Sequence, residues 1–163
     1  MSDPDRAARA AQAWRRERPD LDVEAMEIVG RLNELSALLT RDLQPVFERF
    51  SLQGGEFDVL ATLRRAGAPF RLTPTALYEA TMLSSGGMTA RLDRLERRGL
   101  IRRLPNPEDR RGTLVELTPD GLALVEDAIG PHAENETRLL AGLPPQDRAA
   151  LNALLSKLRA ALP

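Results

Sequence analysis

The stretch from Ser84 to Leu117 constrains the fold of this chain more strongly than any other part of the sequence. It opens with Ser84 and Ser85, which are good helix N-cap residues. The apolar residues that follow are spaced as on one face of a helix: Met88, Leu92, Leu95 and Leu100. Gly99 suits the position after a last helical turn, where the left-handed conformation favours glycine. The pattern therefore predicts a helix over residues 85–98.

A hairpin is predicted directly after this helix. Two apolar runs flank a polar turn at residues 105–112. The first run contains Leu100, Ile101 and Leu104, and the second contains Leu114, Val115 and Leu117. Short apolar runs on either side of a turn are typical of two paired strands. A helix followed at once by a two-stranded ribbon with a basic tip is the pattern of a winged helix.

A second helix precedes the first and completes a helix-turn-helix. Thr73-Pro74 joins an N-cap residue to a first-turn proline, which predicts a helix over residues 75–81. Two short helices joined by a tight turn form a helix-turn-helix, whose second helix enters the major groove of DNA. The predicted fold class is mainly α (α+β): a winged helix-turn-helix with a two-stranded wing and long N- and C-terminal dimerisation helices.

The charge of the stretch from Ser84 to Leu117 favours a nucleic-acid partner. It holds eight arginines against five acidic residues, a net charge of +3, whereas the whole chain has a net charge of −1. The rest of the chain therefore carries −4. Such polarisation would turn the basic part towards a phosphate backbone. On charge alone, an ordinary solvated helix and hairpin stays open as the alternative.

The helix-turn-helix predicts which residues contact double-stranded DNA. Small residues at the start of the recognition helix would let it approach the groove closely, and their amides and hydroxyls suit phosphate. These residues are Ser84, Ser85, Gly86 and Thr89. Arg91 and Arg94 are long enough to reach base edges or phosphates. At the wing tip, Arg110 and Arg111 are suited to a narrow minor groove, where the potential is most negative.

The terminal segments predict a second copy of the chain as a partner. Residues 21–50 show a long helical pattern, which Pro45 is expected to bend or to break near Gln44. The last helix carries a narrow seam of leucines, formed by Leu151, Leu154, Leu155, Leu158 and Leu162. A winged helix alone would leave these stripes exposed, and two-fold dimers are the commonest solution. The two winged helices of such a dimer would then contact successive major grooves of a pseudo-palindromic operator, with half-sites about 10 base pairs apart.

Composition argues against several classes of function. The chain has no cysteine, which removes disulfides, zinc–thiolate sites and thiol nucleophiles. Its one histidine, His132, is expected to be solvated or at a subunit interface rather than a ligand. We expect no enzyme, no cofactor and no metal, because no glycine-rich phosphate loop follows a strand and no paired acids fall in a predicted cleft. With no apolar run of about 18 residues and no signal-peptide pattern, a soluble, cytoplasmic protein is expected.

The segments SSGGMTARLDRLERRGLI and DRRGTLVELTPDG resemble the recognition helix and wing of the multiple antibiotic resistance regulator (MarR) family of winged-helix transcription factors. The resemblance runs from about Leu32 to Leu158. It implies a dimer built from N- and C-terminal helices, a wing arginine at Arg111 that inserts into DNA, and a carboxylate at Asp109 that orients it. One subunit would span residues 1–163, with an extra N-terminal helix (1–20), dimerisation helices (21–50 and 118–163) and a winged-helix lobe (51–117).

The chain is also similar to one branch of that family, which adds an N-terminal helix bearing a tryptophan and responds to urate and related purines. The similarity rests on WRRERPDLD and GEFDVLATLRR. It implies ligand-binding residues at Trp14, Asp58, Arg65 and Arg91. Trp14 and Arg65 would hold the ligand, and Asp58 would transmit its binding to Arg91. The prediction is a repressor that is released from its operator by a small planar anion, urate or a related purine.

Three alternatives stay open. The four residues could simply pack a helix junction, with Trp14 pinning a weak helix. The effector could be a phenolic compound or an aromatic carboxylate. The chain could also be an architectural DNA-binding protein without an effector, which would show little sequence preference and a steep dependence on salt.

Overall fold

The computed structural model describes residues 4–81, 87–109 and 112–162. Within these ranges the chain forms seven helices and three strands. The helices are α1 (Arg6–Glu17), α2 (Glu24–Glu48), α3 (Gly54–Arg65), α4 (Pro74–Ala80), α5 (Met88–Arg97), α6 (Pro119–Leu139) and α7 (Pro145–Ala161). The strands are β1 (Arg71–Leu72), β2 (Ile101–Pro105) and β3 (Thr113–Leu117). None of these helices combines the length and the apolarity needed to cross a bilayer.

The chain divides into two compact units, and the first is Met1–Asp42. Small side chains let α1 and the first part of α2 approach each other: Ala7 and Ala11 are buried, and Gly30 faces Ala7. Three ion pairs among the described residues connect the helices: Arg6–Glu34 at 3.6 Å, Arg15–Glu27 at 3.0 Å and Asp5–Arg31 at 2.8 Å. Alanine and glycine contacts plus surface ion pairs therefore hold this unit together.

The second unit, Leu43–Pro163, is organised around α3. Val59, Leu60 and Leu63 on this helix are fully buried. Every neighbouring element contributes a buried side chain to the same core, including Leu77 of α4, Leu95 of α5, Val115 of β3 and Val125 of α6. Helix α3 therefore contacts both helices of the predicted helix-turn-helix.

His132 belongs to this core. Its ring lies 5.3 Å from the ring centroid of Phe47 and 4.7 Å from that of Phe57, and the side chain is only 15% exposed. The expectation that His132 is solvated is wrong, whereas its alternative, a place at a subunit interface, stays a prediction. The imidazole fills the space between two aromatic rings, and Nε2 lies 3.3 Å from Glu136 on the next turn of α6.

The three strands form one antiparallel sheet in the order β1–β3–β2. The predicted hairpin is confirmed, since β2 pairs with β3 from Ile101–Leu117 to Pro105–Thr113. The third strand was missed. It has only two residues, Arg71 and Leu72, and a run this short carries no readable alternation of apolar and polar residues.

Several predicted boundaries shift. Where residues 1–20 were expected to carry an extra helix, α1 begins at Arg6 after its N-cap Asp5, whose side chain accepts a hydrogen bond from the Ala8 amide at 2.8 Å. The predicted break near Gln44 is not observed, because α2 continues through Pro45 to Glu48. Proline removes one helical hydrogen bond, whereas burial of Val46 and Phe47 in the last turn favours the helix.

Candidate nucleic-acid interface

Helices α4 and α5 are anchored as the pattern predicted. Thr73 caps α4 by accepting a hydrogen bond from the Ala76 amide at 3.1 Å, and Pro74 occupies its first turn. Helix α5 is fixed by three buried side chains, Met88, Leu92 and Leu95. It ends at Arg97, and Gly99 just beyond it has a φ of +70°, which favours glycine, as predicted. The predicted caps Ser84 and Ser85 lie outside the described residues, as does Gly86, and the residue that precedes α5 is Gly87 with φ +92°.

One face of the recognition helix α5 is exposed along its length, and it includes Thr89, one of the residues that were expected to contact DNA. Thr89, Asp93 and Arg97 are exposed and lie one helical turn apart. Arg91 and Arg94, expected to reach DNA, lie on the flank of the helix that faces α3 and are only partly exposed. Arg97 was not predicted from the sequence as a DNA contact, although its spacing of eight residues from Thr89 places both on the same face of a helix.

Arg94 is held by a buried carboxylate. Its Nε donates to Oε1 of Glu56 at 2.8 Å, and the side chain of Glu56 is only 5% exposed. Glu56 also accepts a hydrogen bond from the backbone N–H of Gln53 at 3.0 Å, and its carboxylate lies 3.9 Å from the guanidinium of Arg98. Burial favours a higher pKa for Glu56, but the hydrogen bonds from Arg94 and Gln53 and the charges of Arg94 and Arg98 outweigh it and leave the pKa below its usual value. The ionised carboxylate of Glu56 therefore links α3 to α5.

Arg91 lies on the first turn of α3. A Cβ atom added to Gly55 would come within 2.5 Å of Arg91 Nε, so a larger residue at this position would force the Arg91 side chain to move. Gly54 and Gly55 form the first turn of this helix. The two glycines thus let the arginine of one helix cross the backbone of another.

The wing is joined to the recognition helix by charge. Arg103 of β2 donates to Asp93 of α5 at 2.7 Å and also pairs with Glu96. The hydrogen bond with Asp93 raises the pKa of Arg103. Glu116 of β3 stands opposite Arg71 and Arg102 in the sheet register, and it pairs with both.

The turn of the wing is described on either side of its tip. The backbone N–H of Asn106 donates to the carbonyl of Gly112 at 3.0 Å, and the backbone N–H of Gly112 donates to the carbonyl of Asp109 at 2.8 Å. These bonds close the turn and fix the backbone at Asp109. Arg110 and Arg111, the predicted minor-groove residues, lie outside the described residues.

The residues expected to bind the effector fall in both units. Trp14 is on α1 in the first unit, and its side chain is 48% exposed. Asp58 and Arg65 lie two turns apart on α3, and Asp58 follows the Gly55–Arg91 contact by one turn. Arg65 donates to Thr62 Oγ1 at 2.8 Å and to the carbonyl of Ala80 at 3.3 Å, at the end of α4. Three of the four residues are therefore carried by α3 or lie against it.

No group of three or more His, Asp or Glu side chains in residues 4–81, 87–109 and 112–162 is arranged to hold a metal ion. The charged clusters in these ranges pair arginines with carboxylates, as at Glu56 and Glu116. Such pairs fix helices and strands, and their exposed arginines suit an anionic partner.

Comparison with known proteins identifies the family. Residues 50–112 match the model of the MarR family. The helix-turn-helix transcriptional regulator PecS of Dickeya dadantii (strain 3937) is 44% identical over 146 residues, which cover 90% of this chain and 88% of PecS. A mutant of E. coli MarR complexed with operator DNA is 31% identical, with a TM-score of 0.71 and coverage of 83% of this chain and 96% of that one.

A further structure is BpsR of Bordetella bronchiseptica, whose DNA binding is regulated by 6-hydroxynicotinic acid. It is 32% identical, with a TM-score of 0.72 and coverage of 82% of this chain and 94% of BpsR. Similarity of this extent covers the winged helix and most of the flanking helices. The chain is a MarR-family DNA-binding transcriptional regulator.

Proposed function

We propose that this protein is a homodimeric repressor that binds a pseudo-palindromic operator and is released from it by urate or a related purine. The observation that carries this proposal is the position of α3. The helix bears Asp58 and Arg65 on its surface, and its first turn contacts Arg91 and Arg94 of the recognition helix.

The effector chemistry follows from the residue types. Urate is planar and carries a negative charge near neutral pH. A half-exposed indole at Trp14 offers a face for stacking, and the exposed guanidinium of Arg65 offers paired donors to an anion. The carboxylate of Asp58 would be repelled by the negative charge of the bound ligand. A shift of α3 that moves Asp58 away from the ligand would relieve this repulsion.

Release from DNA then follows from the contacts of α3. A shift of its first turn alters the support of Arg91 and Arg94, and a shift at Arg65 alters the contact with the end of α4. A ligand changes DNA affinity only through its different affinities for the two conformations, and the effect is reciprocal. Operator DNA must therefore weaken the binding of the effector by the same factor.

The homodimer is supported by apolar surface on the terminal helices. Helix α7 has no buried residue, and Leu154, Leu155 and Leu158 on it are 63%, 41% and 40% exposed. Ile28, Leu35 and Leu39 of α2 are exposed as well. A second copy of the chain would cover such stripes and carry two recognition helices to successive major grooves.

A second candidate effector is an aromatic carboxylate. The similarity to BpsR favours it, because 6-hydroxynicotinic acid is a planar ring with a carboxylate. The same aromatic face and guanidinium would suit this class, so titrations must separate the two.

The test combines ligand binding with operator release. Trp14 is the only tryptophan of the chain, so its fluorescence reports binding near α1. Urate, xanthine, salicylate and 6-hydroxynicotinic acid are titrated in parallel, while anisotropy follows a labelled operator. The proposal expects urate or xanthine to quench Trp14 and release the operator over one concentration range, and Asp58→Asn to bind the ligand with weaker release. Quenching and release by the carboxylates alone would favour the second candidate, and no response to any ligand would favour an architectural protein.

A further inference from the structure

An open cleft lies beside the recognition helix, and Arg94 is the one lining residue that was expected to touch DNA. It is formed where the C-terminal half of α5 meets the segment before α3. Its lining residues are Ser51, Gln53, Glu56, Arg94, Arg97 and Arg98. Three arginines face one carboxylate, so the cleft has an excess of positive charge.

The carboxylate of Glu56 is paired with arginines of the cleft itself. Glu56 lies at the base, only 5% exposed, and pairs with Arg94 and more distantly with Arg98. Arg98 also donates from Nη1 to the carbonyl of Ser51 at 2.7 Å. These contacts fix two guanidinium groups. The ion pairs found among the described residues include none of Arg97, whose Nε donates only to a backbone carbonyl of its own helix at 3.3 Å.

Arg97 is aligned with the face of α5 that is open to DNA. Thr89, Asp93 and Arg97 are spaced by four residues, so Arg97 lies about 12 Å along the helix axis from Thr89. The major groove is about 8.5 Å deep. When the start of α5 approaches the base edges, Arg97 therefore reaches the level of the phosphates that border the groove.

The acidic residue on this face does not oppose an anion. Asp93 is paired with Arg103 of β2 at 2.7 Å, which offsets its charge. The path from the start of α5 to the cleft is thus free of an uncompensated negative charge among the described residues.

We propose that this cleft binds one backbone phosphate of the operator, with Arg97 as the main contact and the fixed guanidinium of Arg98 beside it. The inference rests on the proposed binding of operator DNA and adds a contact that fixes orientation without reading sequence. Its chemistry is that of an arginine pair and a phosphate monoanion, which either DNA or free phosphate could supply. The spacing along α5 commits the cleft to the DNA backbone.

The test is the change Arg97→Ala in the full chain, with Arg16→Ala as a matched control on the exposed side of α1. Loss of one phosphate contact should weaken operator binding about tenfold per subunit. It should weaken binding to a scrambled duplex by the same factor and reduce the slope of log K against log salt by about 0.9 per subunit. Arg16→Ala should change neither quantity, and circular dichroism checks that both variants are folded.

A scan with single methylphosphonate substitutions then locates the contact. One position in each half-site should weaken binding of the unaltered protein and have no further effect in Arg97→Ala. An unchanged salt slope in Arg97→Ala, while the unaltered protein binds its operator, overturns the inference and leaves the proposed function intact. Calorimetric binding of inorganic phosphate that depends on Arg97, together with an unchanged operator slope, would make the cleft a free-anion site and also overturn it.

Discussion

Glu56 and Arg94 join the first turn of α3 to the middle of the recognition helix, with Glu56 Oε1 accepting a hydrogen bond from Arg94 Nε at 2.8 Å. The carboxylate is almost completely buried, whereas the guanidinium is about one third exposed. One side of Arg94 is therefore fixed to the protein while the other stays accessible. Through this pair, the position of α3 determines how α5 is presented to DNA.

We expect Glu56→Gln to loosen this junction. The amide preserves the shape but loses the charge that holds Arg94 and Arg98. The free energy of unfolding should fall by about 1–2 kcal/mol, because the arginines keep part of their solvation. Operator affinity should fall as well, since α5 is less firmly oriented. Urea denaturation and anisotropy measure the two effects, and a variant as stable as the unaltered protein would contradict the role of Glu56.

The same pair predicts a dependence of stability on pH. The pKa of Glu56 in the folded protein lies below its ordinary value of 4.5, so the unfolded chain takes up the proton first as pH falls. The stabilisation by Glu56 is therefore complete above about pH 4.5 and is lost as pH drops through the folded pKa. The difference in unfolding free energy between the unaltered protein and Glu56→Gln should be constant from pH 7 to 5 and shrink below 4.5. A difference that does not shrink at all as pH falls below 4.5 would argue against this assignment.

Gly55→Ala tests the contact between α3 and Arg91. The new methyl group would overlap the Arg91 side chain, which must move, whereas alanine favours the helix by up to about 1 kcal/mol. Stability should change little, and operator affinity should fall about tenfold if Arg91 contacts a base. Gly130→Ala is the matched control, because nothing lies within 4 Å of its added Cβ. Equal operator affinity in the two variants would count against a role for Arg91.

The wing prediction rests on Arg111. Arg111→Ala should lower operator affinity by about 1–3 kcal/mol, because an arginine in a narrow minor groove meets the most negative potential. Gel shifts at one fixed salt concentration measure the change. The loss should be smaller on an operator whose flanking A·T pairs are replaced by G·C, since these widen the groove. Unaltered binding would refute the role given to Arg111.

The dimer is tested at the leucine seam of α7. Leu154 is 63% exposed in the single chain, so Leu154→Glu should leave the fold intact and place a charge in the proposed interface. Sedimentation should show a monomer. Operator affinity should fall steeply, because the single winged helix of a monomer cannot bind two half-sites at once. Lys157→Glu changes charge on the same helix outside the seam and should remain dimeric. Dimeric Leu154→Glu would locate the interface elsewhere.

The positions of the main elements could be predicted because their signals are local. Thr73-Pro74 begins α4, Gly99 ends α5, and two apolar runs form the β2–β3 hairpin. Each follows from capping, backbone conformation or a short apolar run. The two-residue strand β1 carries no such signal, because it exists only through its pairing with β3.

The orientation of the arginines could not be predicted, because it depends on contacts distant in sequence. The spacing of Arg91 and Arg94 shows that they share a flank of α5, but not that Gly55 and Glu56 receive them. His132 shows the same limit. Its position between Phe47 and Phe57 depends on packing between α2, α3 and α6, and no local pattern reports it.

The most direct test is sedimentation of a labelled fragment of the protein's own promoter with the purified full chain, with and without urate. We predict a complex of one fragment with two chains, which urate converts to free DNA and a dimer. A chain that sediments as a monomer and leaves the fragment free at every concentration would contradict the account.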